Sequence, residues 1–125
     1  MLQIQSNLKI LDNSGAKEVH CIKVLGGRKI ARIGNVIVVS LRSLTKSHKH
    51  LSKKVTIGKV YRCLVIQTKK ETGRFDGSYV NFASNAGILL NMQNQPIGTR
   101  IKGSVPIELR NLGLLKTVSI GSHLI

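Results

Sequence analysis

Apolar and polar residues alternate with period two, and β-branched residues cluster, in five short stretches: Val19–Leu25, Val36–Leu44, Val60–Thr68, Tyr79–Ala83 and Gly87–Leu90. Each is bounded by Gly, Asn, Asp or Ser, so each predicts a short strand. Turn signals fall between them at DNSG (12–15), LGG (25–27), IGN (33–35), FDG (75–77) and SNAG (84–87). Short strands at this spacing in a small chain favour an antiparallel barrel, because closure removes exposed sheet edges. The last quarter differs. "QPIGTRIKG" is turn-rich, and "SVPIELRNLG" after it predicts a helix with Ser104 as N-cap, Pro106 in the first turn, Glu108 near the positive end and Gly113 as the stop. The closing "LLKTVSIGSHLI" reads equally as a strand or a loose tail. The expected architecture is mainly β, a small five-stranded antiparallel β-barrel with a short C-terminal helical region. It forms one domain over 1–125, with the barrel and its loops in 1–103 and the helix and tail in 104–125.

The chain has 125 residues, enough to bury a core without disulfides or metal. Its apolar residues are mostly Ile, Val and Leu, with Tyr61, Phe75, Tyr79 and Phe82 the only aromatics, so the core is aliphatic and base-stacking platforms are few. Cys21 and Cys63 each sit inside an apolar run; free buried thiols are expected in preference to a disulfide, which fits a reducing compartment. The opening "MLQIQSNLKIL" has neither a secretory h-region nor the pattern of a transit peptide, and no run reaches 18 apolar residues, so a soluble protein is expected.

Charge changes this picture most. Twenty Lys+Arg stand against five Asp+Glu, a net charge of +15 that far exceeds what solubility requires. From Arg42 to Arg74 the chain carries ten basic residues against Glu71 alone, a net +9. A solvated surface would mix in acids, so the expected partner is a polyanion, engaged by Arg42, Lys46, Lys49, Lys53, Lys54, Lys59, Lys69, Lys70 and Arg74 on one contiguous face. Anionic membranes fit less well, because the region reads as strand and loop and not as a basic amphipathic helix. With few aromatics, phosphate and shape recognition of structured RNA is expected over base stacking.

The sequence offers little chemistry. Asp12 and Asp76 sit in turns, where an Asx side chain caps backbone N–H groups. Glu71 and Glu108 read as local charge partners. His48 and His50 could begin a metal site, yet no further ligand lies near and Lys49, Lys53 and Lys54 would repel a cation. Gly26 and Gly27 with Arg28 and Lys29 form a basic turn that lacks a nucleotide-binding pattern. No enzyme activity, catalytic residue, metal or cofactor is expected. The rivals to a structural RNA binder are an OB-like single-strand binder, which would stack bases on Tyr61, Tyr79 and Phe82, and a metal-dependent hydrolase built on His48 and His50.

Four segments, "LDNSGAKEVHCIKVLGG" (11–27), "LVIQTKK" (64–70), "FDGSYVNFASNAGILLN" (75–91) and "QPIGTRIKGSVPIELR" (95–110), resemble in order and spacing the universal large-subunit ribosomal protein number fourteen family. The resemblance implies a five-stranded barrel with a small helical C-terminal region, bound to large-subunit ribosomal RNA at the subunit interface. It implies that Gly26, Gly27, Arg28 and Lys29, together with Lys69, Lys70 and Arg74, face RNA. It also implies that the IGTR turn and the helix after it, with Thr99 and Arg100 at contact positions, form a surface docked by neighbouring large-subunit proteins and a ribosome-silencing factor, with small-subunit ribosomal RNA as a further contact. "TKSHKHLSKKVTIGK" departs from the shorter loop of bacterial members, and "SIGSHLI" from their usual ending. A divergent, Ile- and Asn-rich, collinear member is expected to be organelle-encoded and to work in the mitochondrial matrix, with bacterial cytoplasm or plastid as alternatives.

Overall fold

The computed structural model describes residues 1–45 and 55–125. A closed barrel is built from β1 (Asn7–Ile10), β2 (Ala16–Val24), β3 (Val36–Leu44), β4 (Val60–Gln67) and β7 (Ala86–Leu90), in the order β1-β2-β3-β4-β7. Between β4 and β7, a two-stranded hairpin of β5 (Thr72–Gly73) and β6 (Tyr79–Val80) stands apart from the barrel wall. After β7 come β8 (Ile101–Val105), the short helices α1 (Glu108–Asn111) and α2 (Leu115–Ile120), and β9 (Gly121–Leu124), which pairs parallel to β8.

The period-two pattern dictates which side chains fill the barrel. Ile37, Val39 and Leu41 of β3 point inward, as do Cys63 and Val65 of β4, to meet Leu8, Val19, Cys21 and Leu89 in one cluster. The alternate residues of β4 and β7, Leu64, Ile66, Ile88 and Leu90, face outward and are buried too, under Ile101, Val105 and Leu109 of the C-terminal segment. Two-sided burial explains why β7 is apolar throughout instead of alternating. β2 keeps Val19, Cys21 and Val24 buried despite their uneven spacing because the β2–β3 register shifts, with one irregularity between Cys21 and Lys23. At Gly87 a side chain is excluded outright, since a Cβ would lie 2.5 Å from the Leu64 carbonyl oxygen and 2.7 Å from the Cys63 sulfur.

The expected five-stranded barrel with a helical C-terminal region is what forms, with differences in detail. Four seams are antiparallel, but β1 and β7 close the barrel in parallel, with Lys9 opposite Ala86 and Ile10 opposite Gly87. The fifth wall is Asn7–Ile10, whose alternation of only four residues hides it, and the expected strand at Tyr79–Ala83 contributes only to the β5–β6 hairpin. Ser104 does not cap a helix. It lies in β8 opposite His123, its carbonyl accepts the Gln67 side-chain amide at 2.8 Å, and α1 starts later with Ile107 at its N-cap. Glu108 does fall in the first turn, and Gly113, at φ +81°, follows the C-cap Leu112 as the expected stop. The ambiguous tail resolves into α2 and β9. Cys21 and Cys63 are buried and free, as the apolar runs predict.

Candidate nucleic-acid interface

Strand direction sorts the basic residues. β3 and β4 run antiparallel with Val36 opposite Leu64 and Ser40 opposite Val60, so the start of β3 and the end of β4 share one end of the barrel. That end carries the loop from Leu25 to Asn35, with Arg28, Lys29 and Arg32, and the segment after β4 with Lys69 and Lys70. All five side chains are exposed. Arg42 and Lys59 lie at the other end, about 20 Å away at roughly 3.3 Å per strand residue. Lys46, Lys49, Lys53 and Lys54, like His48 and His50, lie outside the described residues. The basic run that looks contiguous in sequence is therefore divided among barrel ends by the strand it flanks.

At the first end, consecutive positive φ angles at Gly26 (86°) and Gly27 (71°) turn the chain tightly out of β2. The Asn35 side chain accepts the Arg32 N–H at 2.7 Å, and the Gly34 N–H donates to the Val65 carbonyl at 2.8 Å, so the second turn is pinned to β4. A surface cavity of about 410 Å³ is lined by Arg28, Lys29, Ile30 and Arg32. A second, of about 300 Å³, is lined by Arg32, Lys70, Thr68 and Thr72 among others, with Glu71 its one acid. Arg32 borders both, and it is absent from the residues expected on sequence. Its signal was the "RIGN" turn, one basic residue placed just before a hairpin end. The Met1 amino group is pushed below its ordinary value by burial first, and then by the nearby Lys70 and Arg32. The Lys69 backbone N–H donates to the Asn85 side chain at 2.9 Å, holding the base of this segment on the turn that leads into β7.

Other expected contacts are differently placed. Arg74 is occupied: its Nε donates to Glu108 Oε1 at 2.7 Å, and one Nη to the Ile125 main-chain oxygen at 2.8 Å, which ties the β5–β6 hairpin to α1 and to the end of β9. Glu108 is thus a local charge partner, as its position suggests. Arg62 projects from the barrel wall and donates to Asn94 at 2.9 Å. Asp76 caps its own turn, accepting the Ser78 N–H at 3.0 Å and hydroxyl at 2.6 Å, and these bonds hold its carboxyl below the usual range. Asp12 has the expected Asx geometry but does more. It is buried, accepts the Ser14 N–H and hydroxyl on Oδ1, and accepts the Leu89 N–H on Oδ2 at 3.2 Å. It therefore brackets the DNSG turn onto β7.

Thr99 and Arg100 are both exposed, in the turn between β7 and β8. This turn lies against DNSG, at the end of the barrel where β2 begins. The Asn13 side chain accepts the Thr99 N–H at 2.7 Å and the Arg100 N–H at 3.3 Å, and donates to the Thr99 hydroxyl at 2.8 Å. The Lys102 N–H donates to the Leu11 carbonyl at 2.7 Å.

The aromatics are scattered over the barrel and its hairpin. The Tyr61 hydroxyl accepts the Thr56 N–H at 2.9 Å and Phe82 packs partly buried on the outer core, while Phe75 and Tyr79 are exposed on the hairpin. Among the described residues no group of His, Cys, Asp or Glu could hold a metal ion, and no helix is long and apolar enough to cross a membrane.

A small aliphatic barrel with cationic turns and an acid-poor surface has the make-up of a nucleic-acid-binding structural protein. The family model described as ribosomal protein L14p/L23e matches residues 1–125, the whole chain, and the protein belongs to that family. It is a structural constituent of the large ribosomal subunit, and membership of the family implies contact with ribosomal RNA and neighbouring ribosomal proteins.

Proposed function

We propose that the protein grips large-subunit ribosomal RNA with the barrel end bearing Arg28, Lys29, Arg32, Lys69 and Lys70. The observation that carries this is Arg32 bordering two cavities whose other charged lining residues are Arg28 and Lys29 on one side and Lys70 and Glu71 on the other. Clustered cations on pinned turns attract phosphate oxygens, release condensed counterions on contact and fix the orientation of the protein on folded RNA. Arg42 and Lys59, which flank the basic segment 46–54, offer a second RNA contact at the other end. Arg74 braces the hairpin in this reading, because Glu108 already neutralises it. On the same end as Arg42 and Lys59, the turn with Thr99 and Arg100 docks protein partners, among them a ribosome-silencing factor, and a contact with small-subunit ribosomal RNA belongs to the same interface-facing reading. The Ile- and Asn-rich composition supports a mitochondrial ribosome.

The test compares Arg28→Glu/Arg32→Glu with the wild type for binding to large-subunit ribosomal RNA across a salt series. Each lost phosphate contact lowers the slope of log K against log[salt] by about 1. A slope smaller by about 2 with weakened binding is the expected result. An unchanged slope and affinity would place the RNA elsewhere.

A further inference from the structure

We infer that Asn13 is a positioning residue for the Thr99–Arg100 docking turn, holding it in its binding conformation before any partner arrives. This deepens the docking assignment above and rests on it. One amide side chain satisfies two consecutive backbone donors and the Thr99 hydroxyl, across 86 residues of sequence. Such a bracket does for the turn what a partner would otherwise have to do, which is to fix its backbone. Its own footing is firm. Asp12, the preceding residue, is bonded to Ser14 and to the Leu89 N–H, and Asp12 bridges Ile101 on the far side of the turn.

Gly98 completes the device. Its backbone lies so close to the DNSG turn that a Cβ would stand 2.8 Å from both Asn13 Oδ1 and Asp12 Cβ. A side chain there would push the two turns apart and break the Asn13 bonds. The Arg100 guanidinium, by contrast, has no acidic partner among the described residues, so the held backbone presents an uncommitted cation. The chemistry that fits is a carboxylate on a partner protein, to which a guanidinium donates in a bidentate fork. Preorganisation lets that pairing form without first ordering the turn, and an unpinned turn lowers apparent affinity by the fraction of time it spends misplaced.

The experiment measures binding of purified ribosome-silencing factor, and of large-subunit ribosomal RNA, to the full chain carrying Asn13→Ala, Asn13→Asp, Gly98→Ala or Arg100→Glu. Hydrogen exchange at the Thr99 and Arg100 amides is followed in each free protein. Asn13→Ala and Gly98→Ala are expected to speed exchange at those amides and to weaken factor binding about tenfold, with RNA affinity unchanged. Asn13→Asp keeps the acceptor for both amides and is expected to recover most of the loss. Fast exchange in Asn13→Ala with undiminished factor binding overturns the positioning role while leaving the docking surface standing, provided Arg100→Glu still abolishes binding. Factor binding insensitive to Arg100→Glu sinks the docking assignment itself. Should Asn13→Ala fail to fold, Gly98→Ala carries the test, because it loosens the same bonds while leaving Asn13 in place. If both fail to fold, the Asn13 contact is a requirement of the fold and the positioning role is overturned.

Discussion

Replacing Asp12 by Asn keeps the shape of the side chain and removes one acceptor. In the native turn both carboxylate oxygens are used as acceptors, Oδ1 by the Ser14 N–H and hydroxyl and Oδ2 by the Leu89 N–H. An amide has a donor at one of those positions whichever way it is turned, so either the Leu89 or the Ser14 N–H faces another N–H. Asp12 is only 5% exposed, so water cannot repair the mismatch. Hydrogen bonds to a charged group contribute about 1.5–3 kcal/mol, and a buried donor left without a partner costs about 1–3 kcal/mol. Asp12→Asn should therefore destabilise the protein by about 3 kcal/mol. With an unfolding entropy of about 2.1 cal/mol/K per residue, that is a fall of roughly 10 °C in Tm for a chain of this size. Urea unfolding should show a lower midpoint at an unchanged slope, since the same surface is exposed. A change below about 0.5 kcal/mol would mean that the DNSG turn is held by its backbone alone, and that the carboxylate is no bracket.

Further outcomes follow from the same geometry. Leu109→Ala, at a fully buried position of the outer core, should cost about 2–5 kcal/mol and loosen α1, seen as a drop in the urea midpoint. A double-mutant cycle on Arg74→Ala and Glu108→Ala should return a coupling energy of about 1–2 kcal/mol, because the pair is bidentate and three-quarters shielded; zero coupling would leave the hairpin held by other contacts. The Cys21 and Cys63 thiols are pushed up by burial, so a thiol reagent at pH 8 should label them only at the rate of unfolding; fast labelling in native buffer would contradict the closed barrel. The Asp76 carboxyl is held below its ordinary value, so its contribution to the hairpin is present above the unfolded pKa of about 3.9 and is lost as pH falls through the lower folded one. The Ser78 amide resonance should hold its position down to that range and shift within it, and a shift near pH 4 or above would count against the cap.

Much of this fold was legible because period-two alternation is enforced wherever one face of a strand lines a core. Ile37, Val39 and Leu41 advertise β3 for that reason. β1 escaped because Leu8 and Ile10 are too few to show a period, and α2 because Val118 and Thr117 are its main inward residues in a run of only six. Tyr79–Ala83 misled because alternation reports a buried face without saying which sheet buries it. The basic residues were visible by composition, but their grouping depends on which barrel end each strand delivers them to. Arg32 joins Lys70 across 38 residues, and Arg42 is separated from Lys69 by the length of β4. Asn13 was invisible as a functional residue, since nothing local distinguishes an Asn that caps its own turn from one that holds a turn 86 residues away.

Lysine acetylation footprinting on intact large subunits tests the central assignment most directly, with the free protein as reference. If the cationic barrel end is the RNA face, Lys29, Lys69 and Lys70 lose at least about nine-tenths of their reactivity on the subunit and regain it when the RNA is digested. Equal reactivity of these three lysines in the subunit and in the free protein would contradict it.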